Sequence, residues 1–232
     1  MIRIENVDVF GWESAIRAMR NPMNSWDKSD SQFHVCSKSG KTSYTEIGNN
    51  DLKLMQSLVK AGTDHSKFMR MINVSCDITA PRYWWTEYDT YKVGTVRNSC
   101  STMHKIHSKE FTLDDFSCEH LYAEDEIDGM YYSTTAEEEF TSTDVLKFVI
   151  ESLNNYRKMY LATKDKKEWW QMIQLLPSSY NQKRTVMLNY EVLANIYKSR
   201  HNHKLDEWHT FCDWIESLPY SELIIGKTDG AK

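Results

Sequence analysis

The stretch Asn189-Tyr190-Glu191-Val192-Leu193-Ala194-Asn195-Ile196-Tyr197-Lys198-Ser199-Arg200, entered through Leu175-Leu176-Pro177, decides the fold. On a helix at about 100° per residue, Asn189 and Arg200 fall roughly 20° apart. Val192, Leu193 and Ile196 surround that face, and Glu191 and Asn195 take the opposite side. Arg200 therefore ends an apolar stripe. A guanidinium removed from water needs a partner. From spacing alone, a structural ion pair or a helix C-terminus supplies it.

The surrounding sequence reads as strands and helices without strict alternation, which predicts an α+β fold. Strands are expected at Ile2 to Phe10, Met71 to Thr79 and Gln182 to Asn189. Helices are expected at Trp12 to Met19, ended by Asn21-Pro22, and at Asp51 to Lys60, with Asn50 as cap and Gly62 beyond. A further helix runs from Arg82 to Tyr91, with Pro81 at its start. Thr141-Ser142-Thr143 opens another, with Val145, Val149, Leu153, Tyr156 and Tyr160 on one buried face. The remaining helices are Lys166 to Leu175, Tyr190 to Arg200 and Leu205 to Ser217. Residues 25 to 48 read as polar and turn-rich. Glu110 to Glu139 holds eleven acids with no lysine or arginine, and reads as a solvated, loop-rich elaboration.

With 232 residues, the expectation is a single domain over 1–232 carrying an acidic elaboration at about 106–140. A net charge of -5 argues against non-specific nucleic-acid binding. The five cysteines (Cys36, Cys76, Cys100, Cys118, Cys212) form no Cys-x-x-Cys pair, so no zinc ribbon or redox motif is expected. His201, His203 and His209 make no tetrahedral set with them, and no metal is expected. No apolar run approaches the ~20 residues of a membrane span, and the charged start is unlike a signal peptide. A soluble, cytoplasmic protein without membrane contact is the expectation. Trp84-Trp85 and Trp169-Trp170 read as core or interface aromatics.

The Leu-Pro to Arg200 block resembles the substrate and flavin segment of the flavin-dependent thymidylate synthases. That family runs Leu-Pro, a strand, then Asn-x-Arg-x-x-x-Asn-x-x-x-x-Arg. Asn189, Asn195 and Arg200 match it in identity and spacing, and Glu191 departs from it. The family's second signature, Arg-His-Arg-x-x-Ser-x-Asn-Glu-x-Ser-x-Arg-Tyr, keeps its frame after Ala80-Pro81 but few identities. Its Arg-His-Arg falls on Thr90-Tyr91-Lys92, its glutamine on Glu87, and its last arginine on Thr102. Thr95 retains a hydroxyl, and Asn98, Ser99, Cys100 and Ser101 cover the nucleotide loop. Read without the family, Thr90 to Thr102 is a small-polar loop suited to an anion and equally to any surface turn. His65-Ser66-Lys67-Phe68 resembles the family's flavin-phosphate turn, and a helix-starting serine accounts for it equally well.

The resemblance implies a thymidylate synthase-like fold, a mixed sheet flanked by helices, and a homotetramer. It implies FAD as cofactor, with NADPH and methylenetetrahydrofolate as co-substrates and deoxyuridylate methylated at C5. By resemblance, Arg200 with Glu87, Asn98, Ser99, Cys100 and Ser101 holds the pyrimidine nucleotide. Ser66, Lys92, Thr95, Asn189 and Asn195 hold the flavin. Arg200 is the expected catalytic residue, with Cys100 a second candidate whose thiolate would add to C6 of the pyrimidine. A buried, inert cysteine is the other reading of Cys100. An anion at Glu191 would repel a diphosphate unless it turns to solvent or the cofactor sits differently. A related product, such as a hydroxymethylated pyrimidine, and a cytosine substrate are further expectations for the rewritten loop. The alternative class is a non-catalytic nucleotide-binding or assembly protein that kept the fold.

Overall fold

The computed structural model describes residues 2–35, 42–123, 131–133 and 138–226. In chain order the elements are β1 (Arg3–Phe10), α1 (Trp12–Arg20), β2 (Gln32–Val35), β3 (Thr42–Glu46), α2 (Asn49–Lys60), β4 (Asn73–Pro81), α3 (Arg82–Tyr88), β5 (Val96–Ser99) and α4 (Thr102–Lys105). They continue with β6 (Tyr131–Ser133), β7 (Glu138–Phe140), α5 (Ser142–Thr163), α6 (Lys166–Leu175), β8 (Asn181–Asn189), α7 (Tyr190–Arg200), α8 (Asp206–Glu216) and α9 (Glu222–Ile225). Four strands form one sheet in the order β1-β4-β8-β5, and β2-β3 and β6-β7 are two-stranded ribbons. β4 alternates half-buried and buried positions along its length, the period-two signature of one covered face.

By its internal contacts the chain divides into two compact units. The first comprises Met1–Arg3, Ile78–Asp89 and Asn98–Arg184, and the second Ile4–Asp77, Thr90–Arg97 and Thr185–Lys232. In the first unit, Leu146 and Leu153 of α5 and Met172 of α6 pack with Ile106, Phe111, Phe116 and Leu176. Thr141 starts α5 with a reciprocal capping box to Asp144, which satisfies donors that the first turn leaves orphaned. The buried face of α5 uses Leu146 where the spacing had suggested Val145, which is 39% exposed. Trp84, Trp85 and Tyr88 of α3 are fully buried. The Arg184 guanidinium lies over Trp85 at 4.2 Å and bonds both carboxylate oxygens of Asp89.

The second unit packs Trp12 edge-on against both Tyr190 and Tyr220, with Met55, Ile72, Leu193, Ile196, Trp208 and Phe211 buried. It also buries a charge pair the sequence had not suggested. Arg20 donates from Nε to Asp51 at 2.6 Å, and from its other nitrogens to the carbonyls of Ser25 and Lys28. Asp51 accepts further from the hydroxyls of Ser29 and Ser31 at 2.6 Å each.

Three expectations are corrected. Residues 25 to 48 hold the β2-β3 ribbon, in which Gln32 pairs with Glu46 and Phe33 with Thr45; residues 36–41 lie outside the described residues. α2 starts behind Gly48 without a side-chain cap. Asp30 takes that role from outside the helix, accepting from the amides of Asn50 and Asp51. The acidic stretch is more than solvated surface, because Phe111 and Phe116 are core residues and Phe116 bridges to Tyr180. Within that stretch, 124–130 and 134–137 lie outside the described residues.

Candidate functional site

Asn189 ends β8 and caps α7. Its Oδ1 accepts from the Val192 amide at 3.1 Å, as expected of asparagine at this position. The loop after α3 lies against this cap. Gly94 has φ +74, and a Cβ placed there would sit 2.9 Å from Val192 Cγ2 and 3.1 Å from Asn189 Nδ2. A left-handed backbone and a close approach both demand glycine there. Thr95 donates its hydroxyl to the Tyr91 carbonyl at 2.6 Å and accepts from Arg97, closing the loop on itself. Lys92 is exposed, and Val93 is 89% exposed.

Along α7, Val192, Leu193 and Ile196 are buried and Asn195 is exposed, as the helical phase predicts. Arg200 occupies the last position. Its Nε donates to the Tyr91 hydroxyl at 2.9 Å, and its guanidinium lies 4.8 Å from the Trp208 ring and 5.7 Å from the Tyr91 ring. Tyr91 and Trp208 meet edge to face at 6.2 Å. Trp208 is fully buried.

Glu191 does not turn to solvent. Its Oε2 accepts from Arg70 Nε at 2.5 Å, and its side chain is 20% exposed. Oε1 is buried without a hydrogen-bond partner among the described residues. Glu191 also stands in the first turn of α7, where the helix dipole favours an anion. Arg70 belongs to a 3-10 helix, Lys67–Met71, that follows Ser66. Ser66 is buried and stands at the start of this helix, as the helix-starting reading has it, although its side chain makes no capping bond. Arg70 carries no motif signal, and only the packing of this turn on α7 reveals it.

The remaining candidates lie in the first unit. Glu87 is half-buried on α3. Asn98 and Ser99 are exposed on β5, a strand where the sequence suggested only a loop. Its composition is turn-like, and its backbone is held by β8. The Cys100 amide donates to the Lys183 carbonyl at 2.9 Å, and Gln182 Nε2 donates to the Cys100 carbonyl at 2.9 Å. The Cys100 thiol is exposed, which corrects the reading of a buried, inert cysteine. Ser101 accepts from the His104 amide at 3.1 Å and so caps α4.

Cys76 is buried, and burial pushes its thiol up to about 12. His201, His203 and His209 line an open depression with Tyr197 and Glu216. Among the described residues no group of three or more His, Cys, Asp or Glu is placed to hold a metal. No described helix is long and apolar enough to cross a membrane.

No family model matches the chain, and no curated protein matches it. Solved structures do. Flavin-dependent thymidylate synthase ThyX from Helicobacter pylori, solved with FAD and dUMP, superposes with a TM-score of 0.64 at 16% identity, over 97% of this chain and 98% of that one. A second structure of the same enzyme with the same ligands gives 0.63 at 15% identity. The UMP/dUMP methylase PolB from Streptomyces cacaoi, bound with 5-Br dUMP, gives 0.54 at 12% identity over 94% of this chain and 89% of that one. The identities are too low to carry residue roles, but the coverage is nearly complete in both directions. This chain has the ThyX-like fold, the fold of flavin-dependent thymidylate synthase.

Proposed function

We propose that this protein binds a pyrimidine nucleotide and modifies its ring at C5, as a divergent flavin-dependent thymidylate synthase-like methyltransferase. The observation that carries the reading is the seat of Arg200. Its guanidinium ends the apolar stripe of α7, clasped by the Tyr91 hydroxyl and the Trp208 face. A planar fork of donors held in fixed orientation suits carbonyl and phosphate oxygens. In this reading Arg200 orients the pyrimidine and stabilises negative charge that develops on its carbonyl oxygen during C5 chemistry. Glu87, Asn98, Ser99, Cys100 and Ser101, in the first unit, are assigned to nucleotide binding on the strength of the resemblance.

FAD is assigned to Ser66, Lys92, Thr95, Asn189 and Asn195, all of which belong to the second unit. The obstacle to a diphosphate here is Glu191, and its bond to Arg70 cancels that charge locally. The exposed Lys92 and Lys67 and the side-chain-free approach at Gly94 make the residues compatible with a dinucleotide. When bound, the flavin would supply the redox chemistry, with methylenetetrahydrofolate as carbon source and NADPH as reductant. The chain's own part is to bind, orient and neutralise. Retained turnover in Cys100→Ser would exclude the thiolate route. A homotetramer fits the exposed apolar positions of α5, where Phe148 is 70% and Met159 48% exposed.

The test is the visible absorption spectrum of the purified protein after incubation with FAD and desalting, followed by product mass spectrometry with deoxyuridylate, folate and NADPH. A retained flavin band and a product heavier by one methyl support the reading. A hydroxymethyl product would redirect it, and a protein that never takes up flavin would overturn it. A second reading, a non-catalytic nucleotide binder, is favoured by the capping roles that Asn189 and Ser101 already fill. Turnover by the pure protein refutes it.

A further inference from the structure

We infer that Tyr91, backed by Trp208, is a positioning residue for Arg200 and sets its affinity for the nucleotide; this rests on the nucleotide role proposed above. Arg200 is the last residue of α7, where the helix backbone no longer directs a long side chain with several rotatable bonds. Left alone, its guanidinium would sample many orientations, and a ligand would have to freeze them.

Three contacts remove that freedom. The Tyr91 hydroxyl accepts from Nε at 2.9 Å and fixes the in-plane direction of the fork. The buried Trp208 ring, 4.8 Å from the guanidinium carbon, provides a supporting surface. Trp208 also meets Tyr91 edge-on at 6.2 Å with an interplanar angle of 70°, bracing the tyrosine itself. The tyrosine's backbone is held in turn, because its carbonyl accepts the Thr95 hydroxyl at 2.6 Å. Thr95 thus braces Tyr91, and through it the loop is tied to the C-terminus of α7. Tyrosine is effective here because its hydroxyl accepts from a charged donor on a stiff ring with only two side-chain torsions, so orienting it costs little entropy.

The experiment is a double-mutant cycle on the full chain, with deoxyuridine monophosphate titrated calorimetrically in the presence of FAD and melting temperature followed in parallel. Tyr91→Phe is expected to weaken binding about tenfold, the size of one charge-assisted bond, with little change in melting temperature. Arg200→Ala is expected to weaken it further. In the Arg200→Ala background, Tyr91→Phe should then change nothing.

If Tyr91→Phe binds within twofold of the parent while Arg200→Ala binds poorly, Tyr91 does not position Arg200, and the nucleotide reading stands. An equal loss from Tyr91→Phe in both backgrounds makes the tyrosine an independent contact and overturns the inference. No loss in Arg200→Ala removes the nucleotide reading and this inference with it. Should Tyr91→Phe melt substantially lower than the parent, Trp208→Phe provides the second variant. Its loss of affinity must vanish in the Arg200→Ala background, and persistence there counts against the coupling.

Discussion

Asp51 shows how a single residue can hold a region together. Burial alone would raise its carboxyl, but hydrogen bonds from Ser29 and Ser31, and then Arg20, outweigh that and hold it below its usual value of 3.8. Because the folded value is lowered, its stabilisation is complete above the unfolded carboxyl's range, near pH 4. It is lost as pH falls from there toward the lowered folded value. Asp51→Ala leaves the Arg20 charge buried and is expected to cost about 3–5 kcal/mol, measurable by urea unfolding at pH 7. The same experiment at acid pH should show the gap between parent and variant closing. The cysteines give a second residue-scale prediction. At pH 8, iodoacetamide should label the exposed Cys100 well before Cys76 and Cys212, whose thiols burial pushes up to about 12 and about 11. Peptide mass mapping over time reads the order, and early labelling of Cys76 would contradict the buried assignment.

Helix α5 depends on its start. Thr141 is 1% exposed and closes the capping box with Asp144. Thr141→Ala should lower stability by about 1 kcal/mol, and Thr141→Ser should recover most of it, as thermal melts would show. The turn at Gly94 belongs to this scale as well. Gly94→Ala forces a Cβ into a left-handed backbone and against Val192 and the Asn189 amide. The expected cost is roughly 1–3 kcal/mol, together with weaker flavin retention, because the cap of α7 must shift. Unchanged flavin uptake in this variant would separate the loop from the cofactor site.

Across the molecule, the expectation concerns charge and assembly. Glu191→Arg places a second cation beside Arg70 where the two now form a pair. If the flavin diphosphate lies nearby, this variant should retain FAD better than the parent at low salt and lose the advantage at high salt. Desalting at two ionic strengths measures it, and indifference to salt would place the diphosphate elsewhere. Sedimentation velocity tests the proposed homotetramer: a tetramer-sized species is expected, and Phe148→Lys on the exposed side of α5 should shift it toward smaller species.

Periodicity and local chemistry were sufficient for much of this. α6 and α7 begin and end where their sequences say, because apolar spacing, an aspartate cap and a Leu-Pro stop act within one turn of the chain. The Leu-Pro to Arg200 block was enough to point to the fold, since a strand-to-helix junction with fixed asparagine and arginine spacing is a local pattern. Other features were not local. β5 reads as a loop in its own residues and is a strand because β8 offers it hydrogen-bond partners. Arg20 and Asp51, Arg70 and Glu191, and Tyr91 and Arg200 are separated by 31, 121 and 109 positions, and no period links residues so far apart. The sequence by itself determined the helices and strands whose signals are local, and it pointed to the fold. Only the tertiary structure decided which charges cancel and which aromatic faces hold the arginine, because those depend on distances that chain folding alone brings below 5 Å.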